Sequence, residues 1–265
     1  FSIGIGLGSL ACERLSGRKI EIGLVPFGSI RMTLVALDLF LASPGAPLGR
    51  SLGAVQFLQQ PGSVRIAADL VLIGMFGGFY IVPLYALVQT RSESSHRSRI
   101  IAGNNILNAA FVVAAAAMAI GLLHAGVSVA QIFLVTALAN AAVAIYIYAL
   151  VPEFLMRFIV WLLIHSVYRL RKSGLEHLAD EGAAVIVSNH VSFVDALVIA
   201  AACSRPVRFV MDHAIFRLPL LNFVFRTGKT IPIASARADP ALLERAYDEI
   251  TRALEAGDLV CIFPE

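Results

Sequence analysis

The sequence predicts two parts of different fold class: a multi-span α-helical membrane part, followed by an α/β domain. The chain of 265 residues is 58% hydrophobic and only 15% charged, with a mean hydropathy of +0.80, whereas soluble domains are about 25% charged. Residues 1–150 hold nine Lys or Arg and five Asp or Glu, while residues 151–265 hold 12 and 13. Short strand-like runs alternate with helical segments only after residue 174. This composition excludes an ordinary soluble enzyme and a disordered chain.

Long apolar segments in residues 1–151 predict membrane-spanning helices, because a span needs about 20 apolar residues. Three segments without Asp, Glu, Lys or Arg are long enough: residues 70–88, 100–123 and 125–151. Residues 22–42 are a fourth candidate, and residues 1–11 resemble the end of a fifth. Basic residues concentrate in the loops at 12–21 and 90–99, which predicts that these loops and everything after residue 151 lie in the cytoplasm.

Small and charged residues within the spans suggest helix contacts and a transport path. Gly4/Gly8 and Gly74/Gly78 have the small-xxx-small spacing that lets helices approach closely. Arg31 and Asp38 are seven residues apart, so they share a helix face and are candidates for a charge pair lining an internal path. The alternative is that Arg31 extends toward the membrane interface.

The loop after the first apolar run carries a family motif. Residues 8–19, GSLACERLSGRK, resemble the G-x-L-x-x-R-x-G-R-K loop of major facilitator superfamily transporters, with one extra residue between the Arg and the Gly. In that family the loop occurs between the second and third spans and again between the eighth and ninth, and the four spans that follow it here fit the second position. The resemblance implies that residues 1–151 are the C-terminal transmembrane helices of a transporter bundle, and we expect the chain to be an internal fragment of a longer protein.

The segment at 152–173 is predicted to be an interfacial helix and linker. Its apolar run at 154–167 is too short to span, and Arg157, Arg169, Arg171 and Lys172 lie within or after it. This pattern favours a helix lying in the headgroup region of the phospholipid membrane. The alternative is a buried first helix of a soluble domain.

Residues 174–265 are predicted to form the α/β domain. Runs at 183–188, 207–211, 230–234 and 259–263 have strand patterns. The best-defined helix covers residues 240–256, with Asp239 as N-cap, Pro240 as first residue and Gly257 as the C-terminal stop.

The segment after the first strand, residues 189–195 with the sequence NHVSFVD, is the candidate catalytic centre. A carboxylate five residues after a histidine can fold back onto one imidazole nitrogen, so Asp195 would fix the tautomer of His190 and leave the other nitrogen to act as general base. The structural alternative is that His190 bonds a loop carbonyl and Asp195 caps the next helix.

This segment resembles the N-H-x-x-x-x-D motif of the glycerolipid acyltransferase family, which includes 1-acylglycerol-3-phosphate acyltransferase, with Ser192 and Phe193 at their usual places. Residues 216–233 resemble a second motif of that family, although its closing Arg falls on Ser235, with Arg237 two residues on. Residues 263–265, FPE, match the start of the third motif, F-P-E-G.

The resemblance implies an O-acyltransferase acting on glycerolipids, without a metal or cofactor. His190 would deprotonate a lysophospholipid hydroxyl, which attacks the thioester of an acyl carrier protein or CoA donor, and Asp195 would orient the imidazole. The further candidates for substrate binding are Asn189, Ser192, Phe193, Arg226, Lys229, Arg237 and Glu265. For the three basic residues, solvated surface or lipid-headgroup contact is an equal alternative.

The two resemblances together imply a bacterial fusion of a lysophospholipid transporter with an acyltransferase, multi-pass in the inner membrane. The expected function is phospholipid remodelling by reacylation, and the net charge of +3 is too dispersed to indicate nucleic-acid binding. One alternative is a transport-only protein with a non-catalytic acyltransferase-like module; another is a lysophosphatidic acid acyltransferase with a membrane anchor. Because the phosphate-binding motifs end or break here, we expect the 265-residue chain to be inactive alone.

Overall fold

A computed structural model describes residues 1–16, 22–43, 53–174, 177–179, 181–192, 194–203 and 205–264, without the side chains of Leu220 and Leu221. The chain forms two compact units, Phe1–Leu150 and Val151–Glu265.

The first unit is entirely helical in the described residues. Its helices are α1 (Ser2–Leu15), α2 (Leu24–Ala42), α3 (Ala54–Leu58), α4 (Ser63–Arg91), α5 (Arg97–His124) and α6 (Val129–Leu150). Four of them, α2, α4, α5 and α6, are long and apolar enough to cross a membrane. These four helices confirm the predicted spans, and α1 covers the predicted end of a fifth.

The predicted glycine pairs form the contact between α1 and α4. A Cβ atom on Gly4 or Gly8 would collide with the carbonyl oxygen of Val71 or Met75, and one on Gly78 would lie 2.8 Å from the backbone of Gly8. The two backbones touch because these positions lack side chains, as the small-xxx-small spacing predicts.

Polar side chains join α2 to α6. Asn140 on α6 donates from Nδ2 to the carbonyl oxygen of Ser29 at 2.9 Å and to Oγ1 of Thr33 at 2.8 Å. The hydroxyl groups of Ser29 on α2 and Tyr148 on α6 are also hydrogen-bonded to each other. Such bonds hold spans together where no water competes for the polar groups.

The second unit is an α/β domain around a four-stranded parallel sheet, which confirms the predicted fold class. Its elements are α7 (Pro152–Val167), β1 (Ala184–Val187), α8 (Asp195–Ala202), β2 (Val207–Asp212), α9 (His213–Phe216), α10 (Pro219–Thr227), β3 (Ile231–Ile233), α11 (Pro240–Glu255) and β4 (Leu259–Ile262). The strand order is β1-β4-β2-β3.

Hydrophobic clusters cover both faces of this sheet, as a parallel sheet requires. One cluster joins α11 to the strands through Ala246, Ala253, Val210, Ile231 and Val260. A second cluster is formed by Cys203, Val207, Leu259 and Cys261, with Ile199 of α8 packed against it.

The ends of α11 agree with the sequence. Asp239 caps the helix by accepting the N–H of Leu242 at 2.9 Å, and Gly257 follows it with a φ of +81°. This left-handed conformation favours glycine and lets the chain turn directly into β4.

Helix α7 packs against α8 and α10 within the second unit. Phe154 and Ile164 are buried, whereas Ile159, Trp161 and Leu163 on other faces are 44–50% exposed. The helix therefore combines features of both predictions: one face belongs to the domain, and an apolar surface faces outward.

Candidate active site

The carboxyl ends of β1 and β4 bring two predicted motifs to one edge of the sheet. Val187, the last residue of β1, pairs with Ile262, the last residue of β4, and the N–H of Ser188 donates to the carbonyl oxygen of Ile262 at 3.3 Å. The chain that follows each strand therefore leaves the sheet at the same edge. Loops at this edge are where α/β sheets usually carry their ligand sites.

Asp195 organises the turn between β1 and α8. Its Oδ2 accepts the backbone N–H groups of Val191 at 2.7 Å and Ser192 at 2.8 Å. The hydrogen bonds from Ser192 and Val191, with a smaller contribution from nearby His190, hold the pKa of the Asp195 carboxyl below its ordinary value. Asp195 is therefore a carboxylate at neutral pH.

His190 lies between this carboxylate and an aromatic ring. Its Nδ1 is 3.3 Å from Oδ2 of Asp195, and its ring centroid is 4.6 Å from that of Phe263, with the planes tilted by 34°. Phe263 in turn stacks on Phe209 of β2 at 6.3 Å. With Nδ1 facing the carboxylate, Nε2 is the ring nitrogen able to accept a proton from a substrate.

The other predicted residues of this segment have structural roles in the turn or fall outside the described residues. Ser192 accepts the N–H of Val194 on its Oγ at 3.3 Å. Asn189 is exposed, and its carbonyl oxygen accepts the hydroxyl of Ser188 at 3.1 Å. Phe193 and Glu265 lie outside the described residues.

The three predicted basic residues do not come together around His190. Arg226 is in the last turn of α10, and Lys229 precedes β3. Both residues therefore lie toward the amino end of β3, away from the carboxyl edge of the sheet. Lys229 Nζ lies 3.4 Å from Oε1 of Glu153 on α7. Arg237 follows β3 at the carboxyl edge and is exposed, but β3 and β1 are at opposite ends of the strand order.

In the membrane part, Asp38 pairs with Arg65 rather than with Arg31. Arg65 Nε donates to Oδ2 of Asp38 at 3.0 Å, and a second bond joins Arg65 Nη2 to Oδ1. Arg31 instead lies over the ring of Phe27, 5.7 Å from its centroid. Sequence reasoning overlooked Arg65 and Asp69, although their four-residue spacing at the start of α4 places them on one helix face.

From the sequence, Phe263 had no role beyond its place in a motif. The structure shows that the Phe263 ring packs against the imidazole of His190.

In the described part of the chain, no three His, Cys, Asp or Glu side chains are grouped so that they could hold a metal ion.

The fold and the His190–Asp195 pair at the carboxyl edge of the sheet define a multi-pass membrane protein. It carries an α/β domain whose His–Asp pair is suited to proton transfer. Residues 169–265 match the family model described as Acyltransferase. This region of the chain is therefore an acyltransferase domain.

Three curated relatives match 35–38% of the chain. Two proteins named Lysophospholipid transporter LplT, from two strains of Klebsiella pneumoniae, are each 30% identical over 93 residues, which is 35% of this chain and 23% of the relative. An uncharacterized protein of Mycobacterium leprae is 28% identical over 109 residues, 38% of this chain and 26% of that protein. The chain thus spans about a quarter of the length of these relatives.

No solved structure matches the chain. The family match over residues 169–265 and the similarity to proteins named as lysophospholipid transporters agree with the two resemblances that the sequence predicted.

The bonds to Asp195 predict a pH-dependent contribution to stability. Because the folded-state pKa is lowered, this contribution is present above the unfolded value of about 3.9 and is lost as pH falls through the folded value. We expect Asp195→Asn to lower the melting temperature at pH 7, and the difference from wild type to close as the solution is acidified below about pH 4. Thermal unfolding followed across pH measures this.

The matched control for that experiment is Asp248→Asn, which changes an exposed carboxylate on α11. This surface substitution should change the melting temperature little at either pH. A gap between wild type and Asp195→Asn that stays constant with pH would contradict the assignment.

Proposed function

We propose that the acyltransferase domain transfers an acyl group from an acyl thioester to the free hydroxyl of a lysophospholipid, coupled to lysophospholipid transport by the membrane part. The observation that carries the proposal is His190, with Nδ1 3.3 Å from Asp195 at the open edge of the sheet. The donor is a thioester of acyl carrier protein or of CoA, and no cofactor takes part.

The proposed reaction is a direct transfer. Nε2 of His190 accepts the hydroxyl proton as the substrate oxygen attacks the thioester carbonyl carbon, and the C–S bond then breaks. The thiolate leaves as a thiol by taking the proton back from the imidazolium. Asp195 stabilises the imidazolium while it exists, and such general-base help contributes roughly a hundred- to ten-thousand-fold in rate.

Substrate binding is assigned to residues that follow strands β1 and β4 in the sequence. Asn189, Ser192, Phe193 and Glu265 belong to the segments that follow β1 and β4. Among the predicted basic residues, Arg237 follows β3 at the carboxyl edge and is the better candidate for the lipid phosphate. Arg226 and Lys229 suit contact with lipid headgroups, because they lie elsewhere on the domain.

The transport part of the proposal is supported by the relatives named Lysophospholipid transporter and by four helices able to span a membrane. The basic loops favour a cytoplasmic position for the acyltransferase domain, and the resemblance to bacterial fusion proteins implies the inner membrane. A lysophospholipid delivered to that leaflet would then meet the acylating site on the same membrane face.

The test of the catalytic assignment is His190→Ala in the full-length protein. We expect acyl transfer to lysophospholipid to fall about a hundred- to ten-thousand-fold, because the general base is lost. A radiolabelled lysophospholipid assay with the acyl thioester measures it. Its control is His213→Ala, which removes another histidine that directly follows a strand at this edge and should keep near wild-type activity.

Full activity in His190→Ala would refute the assignment and favour a transport protein with a non-catalytic module. The same assay separates the other alternative through the lipid headgroup. Preference for lysophosphatidic acid, with no translocation of labelled lysophospholipid in vesicles, would indicate a biosynthetic acyltransferase with a membrane anchor.

Helix α7 is proposed to lie at the membrane surface. Its exposed side chains include Trp161 and Leu163, which are 44% and 50% exposed, and exposed Arg169 and Arg171 follow the helix. Apolar side chains beside basic ones suit the boundary between acyl chains and anionic headgroups. Because only Val151 separates α6 from α7, the chain reaches this helix directly from a spanning segment.

The single tryptophan of the chain makes this proposal testable. In vesicles that contain lipids brominated at a shallow acyl position, we expect the fluorescence of Trp161 to be quenched, because the indole lies at the interface. Trp161→Phe provides the background signal. Emission that is unaffected by brominated lipid but quenched by aqueous iodide would contradict the membrane position.

A further inference from the structure

Two helices of the membrane part bring three charged side chains together at one end of the bundle. Asp38 is in the last turn but one of α2, and Arg65 and Asp69 occupy the first two turns of α4. Arg65 makes two bonds to Asp38, one to each carboxylate oxygen. Asp38 is therefore fully engaged as a carboxylate, and the pair joins α2 to α4.

Asp69 is the unusual member of this cluster. Only 5% of it is exposed, and its Oδ2 has no hydrogen-bond partner in the described structure. A buried carboxylate oxygen without a partner is strongly unfavourable, and more so in a span that borders hydrocarbon. The neutral acid form removes most of this cost.

The position of Arg65 gives further support. Its Nε and Nη2 atoms are both bonded to Asp38, one to each carboxylate oxygen, so this cation is engaged by Asp38. Asp69 is thus left buried with an unpartnered oxygen, and a proton on its carboxyl group removes the buried charge.

We propose that Asp69 is a proton-binding site whose occupancy controls the contact between α2 and α4. With the proton bound, Arg65 is committed to Asp38 and the two helices are joined. When Asp69 releases its proton to water, its carboxylate competes for Arg65 from the same face of α4, four residues away. The bond to α2 is then weakened.

The other elements packed on α4 bring no competing charge to this turn in the described residues. The charged side chains of α1, Glu13 and Arg14, lie at the end of that helix away from Gly4, which touches Val71. Helix α3 has none, and Arg31 of α2 lies two turns from Asp38. The charged residues of α5, Arg97 and Arg99, are in its first turn, which follows the opposite end of α4. Asp38 and Arg65 are thus the charged groups that face Asp69.

Proton binding itself does not depend on the proposed function, but its use in moving lipid does. We therefore test the site directly, by infrared difference spectroscopy of the full-length protein in lipid nanodiscs during a pH titration. We expect the carbonyl band of a protonated carboxylic acid at neutral pH and its complete loss in Asp69→Asn. Glu93→Gln is the control, because Glu93 is an exposed carboxyl just after α4, and its removal should leave the band unchanged.

A second variant keeps the test decisive if Asp69→Asn does not fold. In Asp38→Asn, Arg65 is left to pair with Asp69, so the band should be lost at neutral pH although Asp69 is still present. A band that is absent in wild type, or that survives in Asp69→Asn or Asp38→Asn, would overturn the proposal. Neither outcome changes the acyl-transfer assay, so the two proposals fail separately.

Discussion

Charged and polar groups are costly to place in hydrocarbon, and this constraint divides the chain into its two parts. In the described helices α1 to α6 the backbone is satisfied within each helix, and polar side chains bond across helix contacts, as Asn140 does with Ser29 and Thr33. Charge within a span is paired in the same way, by Arg65 with Asp38. Between α1 and α4, glycines allow direct backbone contact.

After residue 151 water satisfies the surface, and charge is used differently. The carboxyl ends of the parallel strands lie at one edge of the sheet, and Asp195 holds the turn at the candidate site there. Its Oδ2 accepts two N–H groups of the turn before α8 and also faces His190. Asp195 does not cap α8 as the structural alternative expected, because it is the first residue of that helix and no side chain makes a cap bond there. It instead holds the preceding turn, and the same bonds keep the carboxylate ionised.

Features set by local pattern could be predicted from the sequence. Continuous apolar runs predicted the spans, short strand patterns predicted the four strands, and Asp239 with Gly257 predicted the ends of α11. The five-residue spacing of His190 and Asp195 was sufficient to predict their contact, because a short turn brings both side chains to one edge.

Features set by long-range packing could not be predicted in this way. Asp38 and Arg65 are 27 residues apart, and only the packing of α2 on α4 makes them partners. The positions of Lys229 and Arg237 depend on where β3 joins the sheet, which the motif spacing does not reveal. Likewise, the contact of Phe263 with His190 follows from the pairing of β1 with β4.

Lysophospholipid is proposed to cross the membrane through this protein and to be acylated on the other side. The most direct measurement uses vesicles that contain the full-length protein, with labelled lysophospholipid added outside and the acyl thioester enclosed with the acyltransferase domain. The account predicts labelled diacyl phospholipid with the wild-type protein, and labelled lysophospholipid that enters but remains unacylated with His190→Ala. Product that forms only when lysophospholipid and thioester are supplied on the same side would contradict it.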